Sequence, residues 1–239
     1  MSIFSSLFKK ENVVESDNRN DTSLLSHNMS LRQYEVKAVY VPTNRSRKLT
    51  LYGKNEADVL LQLTDYKEPD SIVEVHYDPP TEAQLKYAKE LKIRVPRACC
   101  KWDISALIDE AVRKQDIQDE GKKWKHVDPG KGLIKFANAH HIPYSLYAEE
   151  PHVIRCIWRQ LKGAEVIAFM IACMHKHVKG KWDFSKWEQW VKDGDEISQD
   201  SSFSRSLQNC SELEDGFYGF EWRSMGERTK AYQMLKSRI

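Results

Sequence analysis

Glycine is scarce in this chain, ten residues among 239. That leaves few places where backbone N–H groups can close around a phosphate, as glycine-rich nucleotide loops require. The Walker A spacing is missing. Gly130-Lys131-Gly132-Leu133 has neither the four-residue gap nor the hydroxyl residue after lysine. Gly-x-Gly-x-x-Gly, Gly-x-Ser-x-Gly and His-Glu-x-x-His are missing too, so no complete catalytic or cofactor motif is present and none is expected to work here. A run of 18 apolar residues is also lacking. The nearest, Val166 to Met174, is half a bilayer crossing, which excludes a membrane-spanning helix. The five cysteines are odd in number and irregularly spaced, which points to a reducing cytoplasm rather than a disulfide framework. Nor does either sign of charge dominate. With 37 Lys and Arg against 35 Asp and Glu, the formal charge is +2, so any nucleic-acid surface must be a local patch.

What the chain does contain is enough apolar material to bury a core: 41% hydrophobic residues beside 30% charged ones. Residues 1–30 are expected to form a disordered tail. Lys9 and Lys10 follow a weak apolar cluster of Ile3, Leu7 and Phe8, the reverse of a signal peptide's order. From Tyr34 the pattern has period two, and Tyr34, Val36, Ala38 and Tyr40 predict a half-buried strand. Turn residues Thr43 to Ser46 lead to a second alternating run, Lys48 to Tyr52, which makes a hairpin. Asn55 can cap a helix with Ala57, Leu60, Leu61 and Leu63 on its apolar side, and Ile72 to Tyr77 reads as a third strand. Residues 31–78 are thus a ββαβ unit, too small to stand firmly alone.

Asp78-Pro79-Pro80 is a stiff hinge, and residues 79–114 read as a helical hairpin. Thr81 caps its first helix, with Leu85, Ala88 and Leu91 as the inward stripe; Asp103 caps the second, which carries Ile104, Leu107, Ile108, Ala111 and Val112. Residues 115–127 are a charged linker with Trp124 as its only large aromatic. Residues 128–239 have helical periodicity, and Val166 to Val178, apolar nearly all round, marks a central buried helix. The core should include Ile157, Trp158, Val166, Phe169, Met170 and Cys173. The fold class is therefore α+β: a small N-terminal ββαβ unit, a basic helical hairpin and an all-α C-terminal domain.

Two constellations resemble catalytic or metal sites and fall short of them. Cys173 and His177 share a helix face, with His140 or His141 as a third ligand, but structural zinc wants four ligands in tight pairs. Glu35-Val36-Lys37 has the Glu-x-Lys triplet of a metal nuclease, yet no structured acid precedes it. No metal or cofactor is expected, and the protein is expected not to be an enzyme.

The hairpin is more informative. Lys86, Lys89, Lys92, Arg94, Arg97 and Lys101 face one acid, Glu90, giving a local charge of +5 in sixteen residues of a nearly neutral chain. Cations in an extended loop beside a helix N-terminus suit a phosphate backbone. The bland alternative is a solvated surface. Lys122, Lys123 and Lys125, near Trp124, would extend the track. At the other extreme, Asp193 to Asp215 holds seven acids and one Arg.

Thr81-x-x-Gln84-x-x-Tyr87-Ala88-x-x-Leu91, followed by Pro96 and by Ser105-Ala106-Leu107-Ile108, resembles a helical module of a family of Gram-positive bacterial and prophage proteins. Similar segments occur appended to DNA-processing proteins, and the paired-helix outline is similar to the SAP type of DNA-binding hairpin. The likeness covers Pro80 to Ile108 and brings no activity with it. This chain departs from it with Lys92 where Gly is common, and with Cys99-Cys100 where a small or polar pair is usual.

The resemblance and the charge together imply a cytoplasmic, non-enzymatic accessory protein of a phage or mobile element. It would contact nucleic acid, DNA foremost, through Lys86, Lys89, Arg94, Arg97 and Lys101. The alternative is an adaptor, or an inhibitor of a host defence enzyme, that binds its protein partner through the acidic and aromatic C-terminal region; exposure of Trp182, Trp187 and Trp222 would favour it.

Overall fold

Period-two alternation becomes β1 (Arg32–Tyr40), in which Tyr34, Val36 and Ala38 are buried and Lys37 is exposed. A 3-10 turn over Val41–Thr43 leads into β2 (Arg45–Gly53), antiparallel to β1 with Leu49 opposite Val36. β3 (Ser71–Val75) pairs antiparallel along the other side of β1, so the sheet order is β2-β1-β3. This computed structural model describes residues 28–207 and 226–239. Most of the expected tail, the aromatic stretch Phe217 to Trp222 and the distal part of the acidic segment lie outside the described residues.

Between β2 and β3 lies α1 (Glu56–Leu60), whose Asn55 cap accepts the Asp58 N–H at 2.9 Å. Its buried side is Val59 with Leu63 after it, whereas Leu60 and Leu61, expected to be apolar anchors, are 44% and 77% exposed. Val59 from the short helix and Leu63 from the turn after it together pack on the sheet, and no room is left for Leu60 or Leu61. Glu35 and Lys37, the nuclease-like pair, make ion pairs with Lys48 across the β1–β2 ladder (2.7 Å) and with Asp70 just before β3 (3.9 Å).

The chain is already held at residues 28–30, inside the span expected to be disordered. Met29 bridges to Ser145, and Ser30 N–H donates to the Tyr144 carbonyl at 2.9 Å. Tyr77, buried just past β3, donates its hydroxyl to the Leu31 carbonyl at 3.0 Å.

The hairpin consists of α2 (Glu82–Glu90) and α3 (Lys101–Asp119). α3 continues five residues into the expected linker, because nothing before Gly121 breaks a helix. The helical part continues with α4 (Lys131–Ala139), α5 (Glu150–Gln160), α6 (Ala164–Lys179), α7 (Trp187–Ser198), α8 (Ser201–Leu207) and α9 (Lys230–Lys236). All the strands described lie before Tyr77, so the molecule is α+β with helices throughout its C-terminal half. α6 is the central helix, with Ile167 through Met174 buried. Of the expected core, Ile157, Phe169, Met170 and Cys173 are buried, while Val166 and Trp158 are only partly covered near helix ends. No helix among the described residues is long and apolar enough to cross a membrane.

Gly130 and Gly132, the pair that fails as a phosphate loop, seat Trp182 instead. A Cβ at Gly132 would lie 2.7 Å from the Trp182 carbonyl oxygen. The Trp182 indole N–H and the Gly130 N–H both donate to Glu150, each at 2.9 Å.

Candidate nucleic-acid interface

Local chemistry shapes the hairpin first. Thr81 caps α2 through a reciprocal box with Gln84, whose side-chain amide also reaches across to the Lys101 carbonyl (3.2 Å) and Ser105 Oγ (2.8 Å). The inward line of α2 is therefore Gln84, Ala88 and Leu91, not the expected Leu85, which is 43% exposed. A polar residue takes the inner position because it ties the two helices together. α2 ends in a Schellman motif: Ile93 N–H donates to the Ala88 carbonyl (2.9 Å) and Lys92 N–H to the Lys89 carbonyl (3.0 Å). Lys92 accordingly sits at φ 58°, in the left-handed region. Lys92→Gly should stabilise the protein by about 1 kcal/mol, by removing the Cβ strain of that position. Chemical denaturation checks this, and an unchanged or lower midpoint would contradict it.

The helix-capping residue of α3 is Cys100, not Asp103. Asp103 lies three positions on, fully buried, and accepts the Cys100 N–H (3.0 Å) and the Ser145 hydroxyl (2.6 Å). Burial pushes the Cys99 thiol up to about 12 and the Cys100 thiol up to about 11, so both remain protonated at neutral pH.

Lys86 and Lys89 project from the side of α2 opposite Ala88, Arg94 and Arg97 lie in the connector, and Lys101 opens α3. All five are exposed, and none forms an ion pair with a described residue. Some cations elsewhere find acids, Arg32 with Glu74 at 2.9 Å and Lys122 with Glu120 at 2.6 Å, while others such as Lys162 and Lys179 are exposed without an ion pair to a described residue. The hairpin differs in crowding its cations into sixteen residues.

Lys101 also lies at the mouth of a cleft of about 410 Å³ between α3 and α5. Trp102, Ser105 and Asp109 line one side, and His152, Arg155 and Arg159 the other. His152 Nδ1 is 2.6 Å from Asp109, which also pairs with Arg155. Helical spacing could have flagged His152, Arg155 and Arg159 as one face of α5, but their partner Asp109 lies on another helix. These residues were not anticipated.

Beyond the cleft, Glu149 is 2% exposed and holds Arg113 (Nε at 3.0 Å) and the Val127 N–H (3.1 Å). His126 Nδ1 stands 3.2 Å from Glu110 and 3.3 Å from Glu149, and these three side chains could converge on one ion. Cys173, His177, His140 and His141 do not come together in that way among the described residues. Burial alone would pull the His126 imidazole down, but Glu110's hydrogen bond and charge, with Glu149 and Asp128, raise it above its ordinary value. A raised value means that protonated His126 stabilises the fold below about pH 6.5, and that this contribution fades as pH rises through the higher value. An NMR titration should place the His126 midpoint higher in the parent than in Glu110→Gln; equal midpoints would show that Glu110 does not hold the charge.

Trp182 and Trp187 both pack, partly buried, into an aromatic cluster with Phe136, Phe169 and Phe184. The exposed tryptophans that would favour an adaptor are thus not found at these two positions, and Trp222 lies outside the described residues. Asp193, at the head of the acidic segment, is buried and engaged by Gln189 (3.0 Å) and Arg238 (3.3 Å). No protein-family model, curated protein or solved structure matches this chain.

Proposed function

We propose that this chain is a non-enzymatic, cytoplasmic accessory protein that binds DNA, with Lys86, Lys89, Arg94, Arg97 and Lys101 as its contacts to the phosphate backbone. One observation carries the reading: five exposed cations on one hairpin have no carboxylate neutralising them among the described residues. A charge left uncompensated on a folded surface is available to an external anion, and its pairing there releases counterions from the duplex. Contacts of this kind position a protein without reading bases, so binding should be tolerant of sequence.

The test is a titration of a labelled mixed-sequence duplex at several salt concentrations, followed by fluorescence anisotropy. Five contacts imply a log–log slope of roughly −4 to −5. Two duplexes of unrelated sequence should give the same slope. Affinity that ignores salt would remove the proposal.

A further inference from the structure

We infer that the cleft between α3 and α5 is a phosphomonoester site, and that it takes the phosphorylated end of a DNA strand lying on the hairpin. The second half of this inference rests on the DNA-binding reading; the first does not.

Lys101 belongs to both features, since it ends the cationic track and stands at the cleft's mouth. Arg159 is exposed on the facing helix, so two exposed cations flank the entrance. Deeper in, His152 and Arg155 are each only 7% exposed and are anchored by Asp109. Buried, mutually bonded side chains on the α5 side leave the exposed entrance as the place for a charged group. A terminal phosphate, with its extra charge and free oxygens, gains more there than a diester does.

The wall supplies the remaining donor. Ser105 Oγ already accepts the Gln84 amide at 2.8 Å, which leaves its own hydroxyl hydrogen to donate. A monoester brings up to three terminal oxygens and close to two charges, and Lys101, Arg159 and Ser105 match them as charge-assisted donors. One group opposes this. Asp78 lies on the same cleft without an ion pair among the described residues, and its carboxylate repels an incoming phosphate. It makes the inference directional: Asp78→Asn should tighten phosphate binding.

The full-length protein is tested with three oligonucleotides of one sequence, ending in a 5′-phosphate, a 3′-phosphate or hydroxyls only. At least one phosphorylated probe should bind roughly tenfold more tightly than the hydroxyl-ended one, the gain expected of a charge-assisted pair. Arg159→Gln should erase that difference, so that all probes bind alike, and Asp78→Asn should widen it. Millimolar inorganic phosphate should raise the melting temperature of the parent more than that of Arg159→Gln. Equal affinity for phosphorylated and hydroxyl ends, or a preference that survives Arg159→Gln, overturns the inference while leaving backbone binding by the hairpin intact. If no oligonucleotide binds, the DNA reading fails, and the phosphate-dependent melting shift alone decides whether the cleft is a phosphate site; its absence sinks that as well.

Discussion

Gly194→Ala should lower the stability of this protein by about 3 kcal/mol, although the same exchange in an exposed helix interior would raise it by roughly 1 kcal/mol. Gly194 lies within α7, on the buried line formed with Trp190, Asp193 and Ile197. That line is spaced i, i+3, i+4 and i+7, and it packs against α6. An added Cβ would stand 2.4 Å from the Ala164 carbonyl oxygen and 3.3 Å from the Ala168 nitrogen. Both are backbone atoms in the first turns of α6, so no side chain can rotate away. The two helices would have to separate, and with them the C-terminal tie, where the Trp190 indole N–H donates to the Arg238 carbonyl at 3.2 Å. Urea denaturation followed by tryptophan fluorescence measures the loss. A midpoint at or above the parent's would show that the helices are not in contact at this glycine.

The second large effect concerns DNA. Arg94→Glu combined with Arg97→Glu should weaken duplex binding by at least about 60-fold at 0.1 M salt. Each phosphate contact adds about 0.9 log units for each decade below 1 M salt, so two lost contacts remove about 1.8. Repulsion from the new carboxylates adds to this. The slope itself should become shallower, to roughly −3. Both arginines are exposed and outside regular structure, so the variant should melt with the parent. Retained affinity in a folded double variant would return the hairpin's charge to a solubility role, and the adaptor reading would then stand ahead of DNA binding.

Much of this architecture was legible before any coordinates, and the reason is range. A strand's alternation, the Asn55 and Thr81 caps, and the apolar circumference of α6 depend on residues within about one helical turn or a few strand positions of each other. The hairpin cations were legible for the same reason: they crowd into sixteen consecutive residues. Local rules mislead where one of them has two solutions. Leu85 and Gln84 are neighbours on α2, and only the reach of Gln84 to Ser105 decided which turned inward. Leu60 and Leu61 matched the apolar pattern read for this helix, yet Val59, outside that pattern, took the buried position against the sheet.

The cleft belongs to a different category. Lys101 and Arg159 are remote in the chain, and Asp109 meets His152 across two helices that no local pattern pairs. By itself the sequence determined the elements, their caps and the density of charge on the hairpin, because each follows from near neighbours. The tertiary structure alone decided that Asp109 of α3 meets His152 and Arg155 of α5. Packing chooses which distant faces meet, and the α3–α5 contact places Lys101, the end of the cationic track, beside the open cleft that Asp109, His152 and Arg155 line.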